Sequence, residues 1–240
     1  MRGHGGKTVK ARDGAENCPT SLEHAAAVES RKSDASSAFE THSPEHVRAL
    51  IERYPLAWLL PVGQGATTSA MAAARLPLLG DFAPDGTLIR LVGHLSRRNP
   101  LLAALGPEQC VVALFSGPHD YVSPSQAGLR DWGPTWNYAQ VAVDCELDID
   151  AALTESAITR LVEVMEPANS EFPAWRASEL GARYVAMREK IIGFHARVTG
   201  VTARFKLGQD ERAEVCDAII ANHPNAELAE WMRRFRETDG

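Results

Sequence analysis

Two guanidinium groups and an imidazole stand close together in Gly93-His94-Leu95-Ser96-Arg97-Arg98-Asn99-Pro100. The stretch follows a β-type apolar run, Leu88-Ile89-Arg90-Leu91-Val92, and precedes Leu101–Leu105, which reads as a short helix. Asn99 is placed to cap that helix, its side-chain oxygen accepting from a first-turn N–H. Pro100 suits the first helical position, where its missing N–H costs nothing. A cationic pair just ahead of a helix N-terminus, with its exposed amides and dipole, is chemistry that suits a terminal phosphate. An ordinary capped turn with two solvated arginines has the same sequence, so the local signal leaves both readings open.

Other reactive side chains are more scattered. His119 and Asp120 are neighbours, which does not by itself orient an acid–base pair toward a substrate. His119 and His195 are the two candidates for a catalytic role, with a core or interface role as the alternative for His195. No Gly-x-Gly-x-x-Gly follows a strand, and no phosphate-loop, HExxH or Gly-x-Ser-x-Gly motif occurs. Cys18, Cys110, Cys145 and Cys216 include no CxxC pair, which indicates neither a disulfide framework nor a zinc site. Cys110 and Cys145 lie in apolar runs and read as buried thiols. No metal ligand set emerges.

The elements that must position these residues are short strands with inserted helices. Residues 1–40 are rich in Gly, Ser, Ala and mixed charge, which predicts a flexible extension with a helical piece near Ser21–Ser30. Ser43-Pro44-Glu45 starts a helix that ends before Pro55. Strands are expected at Leu56–Leu60, Ser69–Leu79, Thr87–Val92, Cys110–Phe115 and Ala139–Ile149, with Asp85-Gly86 as a hairpin turn. Gly117–Ser125 and Trp132–Tyr138, dense in Pro, Gly and aromatics, read as irregular loops of the kind that carry function. Helical periodicity covers Thr154–Met165, Ala177–Lys190 and a tail from Asp210 to Phe235. A closing hairpin, Ile191–Val198 and Val201–Leu207, turns at Gly200. The pattern predicts an antiparallel barrel with helices packed outside.

Composition narrows the function. A formal charge of -6 over 240 residues argues against a protein that wraps nucleic acid. The tail ending in Arg233-Arg234-Phe235-Arg236 reads as a solvated face. No run reaches the ~18 apolar residues of a membrane span. The first residues lack the apolar core of a signal peptide, so the cytoplasm is the expected location.

Several fragments, in order, resemble the PaiB-type family of FMN-binding negative transcriptional regulators, whose fold is similar to that of pyridoxamine-phosphate oxidases and flavin reductases. They are Leu50-Ile51 with Tyr54-Pro55-Leu56-Ala57, Leu76-Pro77-Leu78-Leu79, Gly93-His94-Leu95 with Arg97 and Asn99-Pro100, and Gly117-Pro118 with Tyr121 and Ser123-Pro124-Ser125. Pro134-Thr135-Trp136-Asn137-Tyr138, Ile192-Gly193-Phe194, and Lys206-Leu207 with Gln209 complete the set. The resemblance implies an α+β, mostly β fold, a six-stranded antiparallel FMN-binding split barrel with peripheral helices over residues 41–212. The C-terminal helix, residues 213–240, follows it. It also implies a homodimer with FMN sites at the subunit interface.

On that basis Arg97, Arg98 and Asn99 look like a phosphate clamp. Leu95 and His94 accompany it, with His94 toward the ribityl chain or phosphate. Thr135, Trp136 and Asn137 look like the segment against the flavin. Ser123 shapes the same cavity, and Lys206 and Gln209 close it. Arg75 either holds flavin N1/O2 or phosphate charge, or points outward from the barrel. Departures from the family pattern are Ala74-Arg75 for Thr-His, Gln126 for Trp, Lys206-Leu207-Gly208-Gln209-Asp210 for Lys-x-Ser-Gln-Asn, and His195 for Glu. They fall mainly in site segments, which suggests a changed ligand or an acquired reaction. Three functions remain open: a flavin-dependent oxidoreductase of a small organic molecule; an FMN-binding transcriptional regulator without catalytic turnover, whose contact with DNA the family name implies and the acidic charge opposes; and a barrel in which FMN is lost or replaced by haem or another ligand.

Overall fold

The computed structural model describes residues 39, 40, 42–67, 72–168 and 173–238. Apart from Phe39 and Glu40, the expected extension lies outside the described residues. Seven strands form one antiparallel sheet: β1 (Leu56–Pro61), β2 (Ala74–Pro77), β3 (Leu79–Phe82), β4 (Leu88–Ser96), β5 (Cys110–Val122), β6 (Thr135–Asp150) and β7 (Ile191–Lys206). Their order is β2-β1-β5-β6-β7-β4-β3. The outermost strands β2 and β3 are therefore separated in the chain by Leu78 alone. One residue cannot bridge the width of an open sheet, so the sheet curls until its two edges meet. Leu78 at that seam is fully buried, and its N–H donates to the Pro55 carbonyl at 2.8 Å.

The split, mostly β barrel with outer helices is as expected, with seven strands in place of six. Of the run expected as one strand, Ser69–Leu79, positions 69–71 lie outside the described residues; β2 ends at Pro77, and the chain crosses the seam at Leu78 to start β3. Two other expectations change. The segments at Gly117 and Trp132 are not wholly irregular: β5 continues to Val122 and β6 begins at Thr135, with a register shift between Ser116 and His119. That shift leaves Pro118, which has no N–H to give, outside the regular ladder. Nor does the chain turn at Gly200. β7 runs on as one 16-residue strand, and a second register shift at Asp144/Cys145 absorbs the irregularity.

Helices α1 (Pro44–Arg53), α2 (Pro100–Ala104), α3 (Pro124–Ala127), α4 (Thr154–Met165), α5 (Ala182–Arg188), α6 (Ala213–Asn222) and α7 (Ala226–Thr238) lie around the sheet. Ser43 and His46 cap α1 reciprocally. The tail is two helices because Pro224 cannot continue α6, and the Asn225 side chain then accepts from Leu228 N to start α7. Phe115, Phe194, Phe205 and Leu50 are fully buried, and Val215, Ile219, Leu228, Met232 and Phe235 from α6 and α7 join the same core. The His46 ring stacks on Phe235 at 4.3 Å. Burial pushes the Cys145 thiol up to about 12, which keeps it unreactive. Cys110 is disulfide-bonded, so the buried-thiol expectation fails there.

Close packing at Gly193 offers a test. A Cβ there would lie 2.6 Å from the Leu153 carbonyl and 2.7 Å from Thr154 N. Gly193→Ala is expected to cost about 1–3 kcal/mol in denaturant unfolding, as overpacking does. Gly133→Ala, with nothing within 4 Å of its Cβ, is expected to change little; equal losses at both positions would contradict this account.

Candidate functional site

The sequence-designated residues gather at two ends of β7. His94 on β4 lies opposite Gly193, Leu95 opposite Ile192, and Ser96 opposite Ile191 at the start of β7. The turn that follows is pinned there: Arg97 N–H donates to Lys190 O at 2.9 Å and Arg97 Nε to Glu189 O at 3.1 Å. Arg98 backbone N–H donates to Ser96 Oγ at 3.2 Å, and the Arg98 side chain, with no hydrogen-bond partner among the described residues, is exposed. Asn99 caps α2 as expected, accepting from Leu101 N at 3.0 Å. The amides that the sequence offered to an anion are already engaged, however. Asn99 N–H goes to Ser96 O and Leu102 N–H to Asn99 O. Any phosphate at this turn therefore depends on the two guanidiniums, because capping has consumed the first-turn donors.

Leu95 points into the core. His94 is half-buried, and its Nδ1 is enclosed without a partner. Burial holds the imidazole below its ordinary pKa and so favours the neutral ring. Arg75 on β2 stands opposite Trp58 of β1, its guanidinium over the Trp58 ring at 5.7 Å. β2 packs on β4 across the seam, and Arg75 makes its one side-chain contact among the described residues with Trp58.

The second group stands at the other end. Lys206, the last residue of β7, donates to Thr135 Oγ1 at 2.8 Å and lies over the Phe39 ring. Trp136 pairs across strands with Tyr121, and the two rings meet edge-on at 6.2 Å with exposures of 54% and 44%. Ser123 caps α3 and exchanges a reciprocal pair of hydrogen bonds with Gln126. The departure at Gln126 thus has a local reason: Ser-x-x-Gln is a capping box, which a Trp could not close. Asn137 is buried, with Nδ2 on the Met232 sulfur at 3.5 Å. Gln209 accepts from Leu207 N and donates to Phe205 O, so it locks the turn after β7. Gly208 in that turn has φ +93 and sits against Cys216 and Met232, a place for glycine instead of the family's serine.

His119 lies on the exposed face opposite Tyr138, with Nδ1 3.2 Å from Gly117 O. His195 belongs to neither group and faces a separate groove with Asp81, Arg90, Asp148 and Arg197. Tyr121, quoted above only for the family resemblance, is a site residue the sequence reading did not name. Its signal was the strand alternation continuing through Gly117-Pro118, hidden by the register shift.

From Ile191 to Lys206 the strand path is roughly 50 Å at about 3.3 Å per residue. The sheet also leaves an apolar outer face on β1 and β5. Leu56, Trp58 and Leu60 on β1 are 47%, 43% and 37% exposed, beside half-buried Val112 and Leu114 on β5. Among the described residues no helix is long and apolar enough to cross a membrane.

The architecture is an antiparallel split barrel with a cationic turn at one end of β7 and an exposed aromatic edge at the other. Residues 35–200 match the family described as "Putative FMN-binding domain", and the chain belongs to that family. It is 29% identical over 170 residues to protease synthase and sporulation protein PAI 2 of Bacillus subtilis, covering 67% of this chain and 79% of that protein. The PaiB-type resemblance is thereby borne out, and FMN is the family's cofactor. Among solved structures, the FAD and heme binding protein from Mycobacterium smegmatis gives a TM-score of 0.48 at 15% identity, covering 74% of this chain and 78% of that one. The flavocytochrome Anf3 from Azotobacter vinelandii gives 0.46 at 16%, covering 69% and 68%. The residues present suit a flavin mononucleotide: two exposed guanidiniums, an enclosed and unpartnered imidazole nitrogen, and an exposed aromatic pair.

The neutral His94 has a consequence for stability. Its folded-state pKa lies below the unfolded value near 6.5, so the unfolded chain takes up the proton first. Its contribution is complete above that value and is lost as pH falls. Between pH 7 and 5 the wild-type denaturation midpoint should fall more steeply than that of His94→Gln; parallel slopes would contradict the assignment.

Proposed function

We propose that this chain is a flavin-dependent oxidoreductase for a small organic molecule, working as a homodimer whose FMN sites are completed across the subunit interface. The observation that carries the reading is the separation of the two groups along β7. His94, Arg97 and Arg98 stand at one end; Thr135, Trp136 and Lys206 stand at the other. One mononucleotide does not extend over that length of strand. A two-fold related copy, docked through the apolar face of Leu56, Trp58 and Leu60, brings the first group of one protomer to the second group of its partner.

In that arrangement Arg97 and Arg98 hold the phosphate with charge-assisted hydrogen bonds. His94 Nδ1 gains the hydrogen bond it lacks, with the ring neutral at pH 7. Trp136 and Tyr121 cover the ring system and exclude water, and the Lys206 ammonium stands beside it on Thr135. His119 projects from the same face as Tyr121 and Trp136 and is a second group, beside Lys206, able to hold or move a proton. Bound FMN supplies hydride or oxygen chemistry, and the protein supplies position and electrostatics.

The regulatory reading has less support in the charge pattern. Arg233 pairs with Glu230, Arg236 with Asp217, and Arg234 lies over the Trp231 ring, so the basic tail is spent within its own helices. A DNA-contacting face needs cations free for phosphates.

Titration with FMN and with riboflavin separates the clamp from the ring contacts. The double change Arg97→Gln, Arg98→Gln should weaken FMN by roughly tenfold to a hundredfold, as loss of charged hydrogen bonds does, and leave riboflavin unchanged. Trp58→Glu should convert the dimer to monomer in sedimentation and lower affinity for both. A wild-type monomer that binds FMN tightly would refute the shared site, and anaerobic flavin that no reductant or substrate reduces would refute the enzyme.

A further inference from the structure

The groove that holds His195 lies outside both groups described above, and its arginines are arranged in an unusual way. Across four strands, Asp81 on β3 stands opposite Arg90 on β4, Arg90 opposite Arg197 on β7, and Arg197 opposite Glu146 on β6. Two guanidiniums are thus direct cross-strand neighbours, a placement that like charges normally disfavour. Each is answered only on its far side. Arg90 Nε meets Asp81 at 2.6 Å, and Arg197 Nη2 meets Glu146. Asp81 is shared with Arg160 of α4, which also donates to Gly80 O at 2.8 Å. Burial raises the Asp81 carboxyl, but hydrogen bonds from Arg90 and Arg160 outweigh it and hold the group ionised.

The remaining N–H groups of Arg90 and Arg197 have no partner among the described residues. Both side chains line a groove of about 740 Å3 whose apolar walls are Ile89, Phe82 and Leu147. His195 lies one row further along, between Val92 and Asp148. Burial and the nearby Arg90 hold its imidazole below the ordinary value, so it stands as a neutral hydrogen-bonding group.

We infer that Arg90 and Arg197 form a binding site for the carboxylate of a small organic acid whose apolar body rests on Ile89 and Phe82. A planar carboxylate accepts from two guanidinium forks at once and relieves their mutual repulsion. The groove lining holds Asp81, Glu146 and Asp148 beside Arg90 and Arg197, with Arg160 paired to Asp81 behind it, so a dianionic phosphate meets more carboxylate repulsion than a single carboxylate does. The site stands on its own geometry and is independent of the flavin reading.

Calorimetric titration of the full chain at constant ionic strength tests it, with benzoate and hexanoate as probes and inorganic phosphate as the contrast. Both organic acids should bind saturably and more tightly than phosphate. Arg197→Gln and Arg90→Gln should each weaken them about tenfold or more, as loss of charged hydrogen bonds does, while Arg97→Gln, Arg98→Gln leaves them unchanged. Thermal unfolding of each variant shows that it is folded. No saturable binding of either acid, binding that survives both single substitutions, or tighter binding of phosphate would overturn the assignment.

Discussion

β7 pairs with β6 along almost its entire length and with β4 along its first half. That continuous ladder fixes where every candidate residue stands. A strand cannot be shortened without losing paired backbone groups, and a slip of one residue would turn Phe194, Ala196, Ala203 and Phe205 out of the core. The cationic turn is tied to the strand's beginning through Lys190 and Glu189, and the Lys206–Thr135 contact to its end. The distance between them is therefore a property of the barrel and not of flexible loops. It is the reason the proposed site requires a second copy.

Helix caps explain much of the local variation around these groups. Asn99 and Ser123 were both drawn to the site by their resemblance to a family pattern. The structure places each at a helix start, with its side chain on a backbone amide. Gln126 and Gly208, which depart from that pattern, fit local demands of a capping box and a left-handed turn packed under α7. Some of the apparent divergence is thus conformational. Arg75 over Trp58 and His195 beside Arg90 have no such local explanation, and both lie on outward faces where they can meet something outside the protomer.

What could be read from sequence followed the range of the interaction. Capping at Ser43 and Asn99, the Asp85-Gly86 turn and the first turn of α1 depend on residues a few positions apart, and they were legible. The passage of β5 through Gly117-Pro118 was not, because pairing with β6 overrides the breaking tendency of two adjacent residues. The same holds at Gly200, where β6 on one side carries β7 past a glycine that looks like a turn. The seam at Leu78 is invisible to periodicity, since β2 and β3 read as one apolar run. The Arg90–Arg197 row needed the register of four strands, and no local signal announces it.

The most direct test of the shared site is complementation between two defective chains. One carries Arg97→Gln and Arg98→Gln; the other carries Trp136→Ala and Lys206→Gln. Each alone should bind FMN poorly. Unfolded together and refolded at equal amounts, they should regain tight binding in about a quarter of all sites, since half of randomly paired dimers are mixed and each mixed dimer rebuilds one intact site of two. Binding in the mixture no greater than the average of the two separate variants would contradict a site built from opposite ends of two copies.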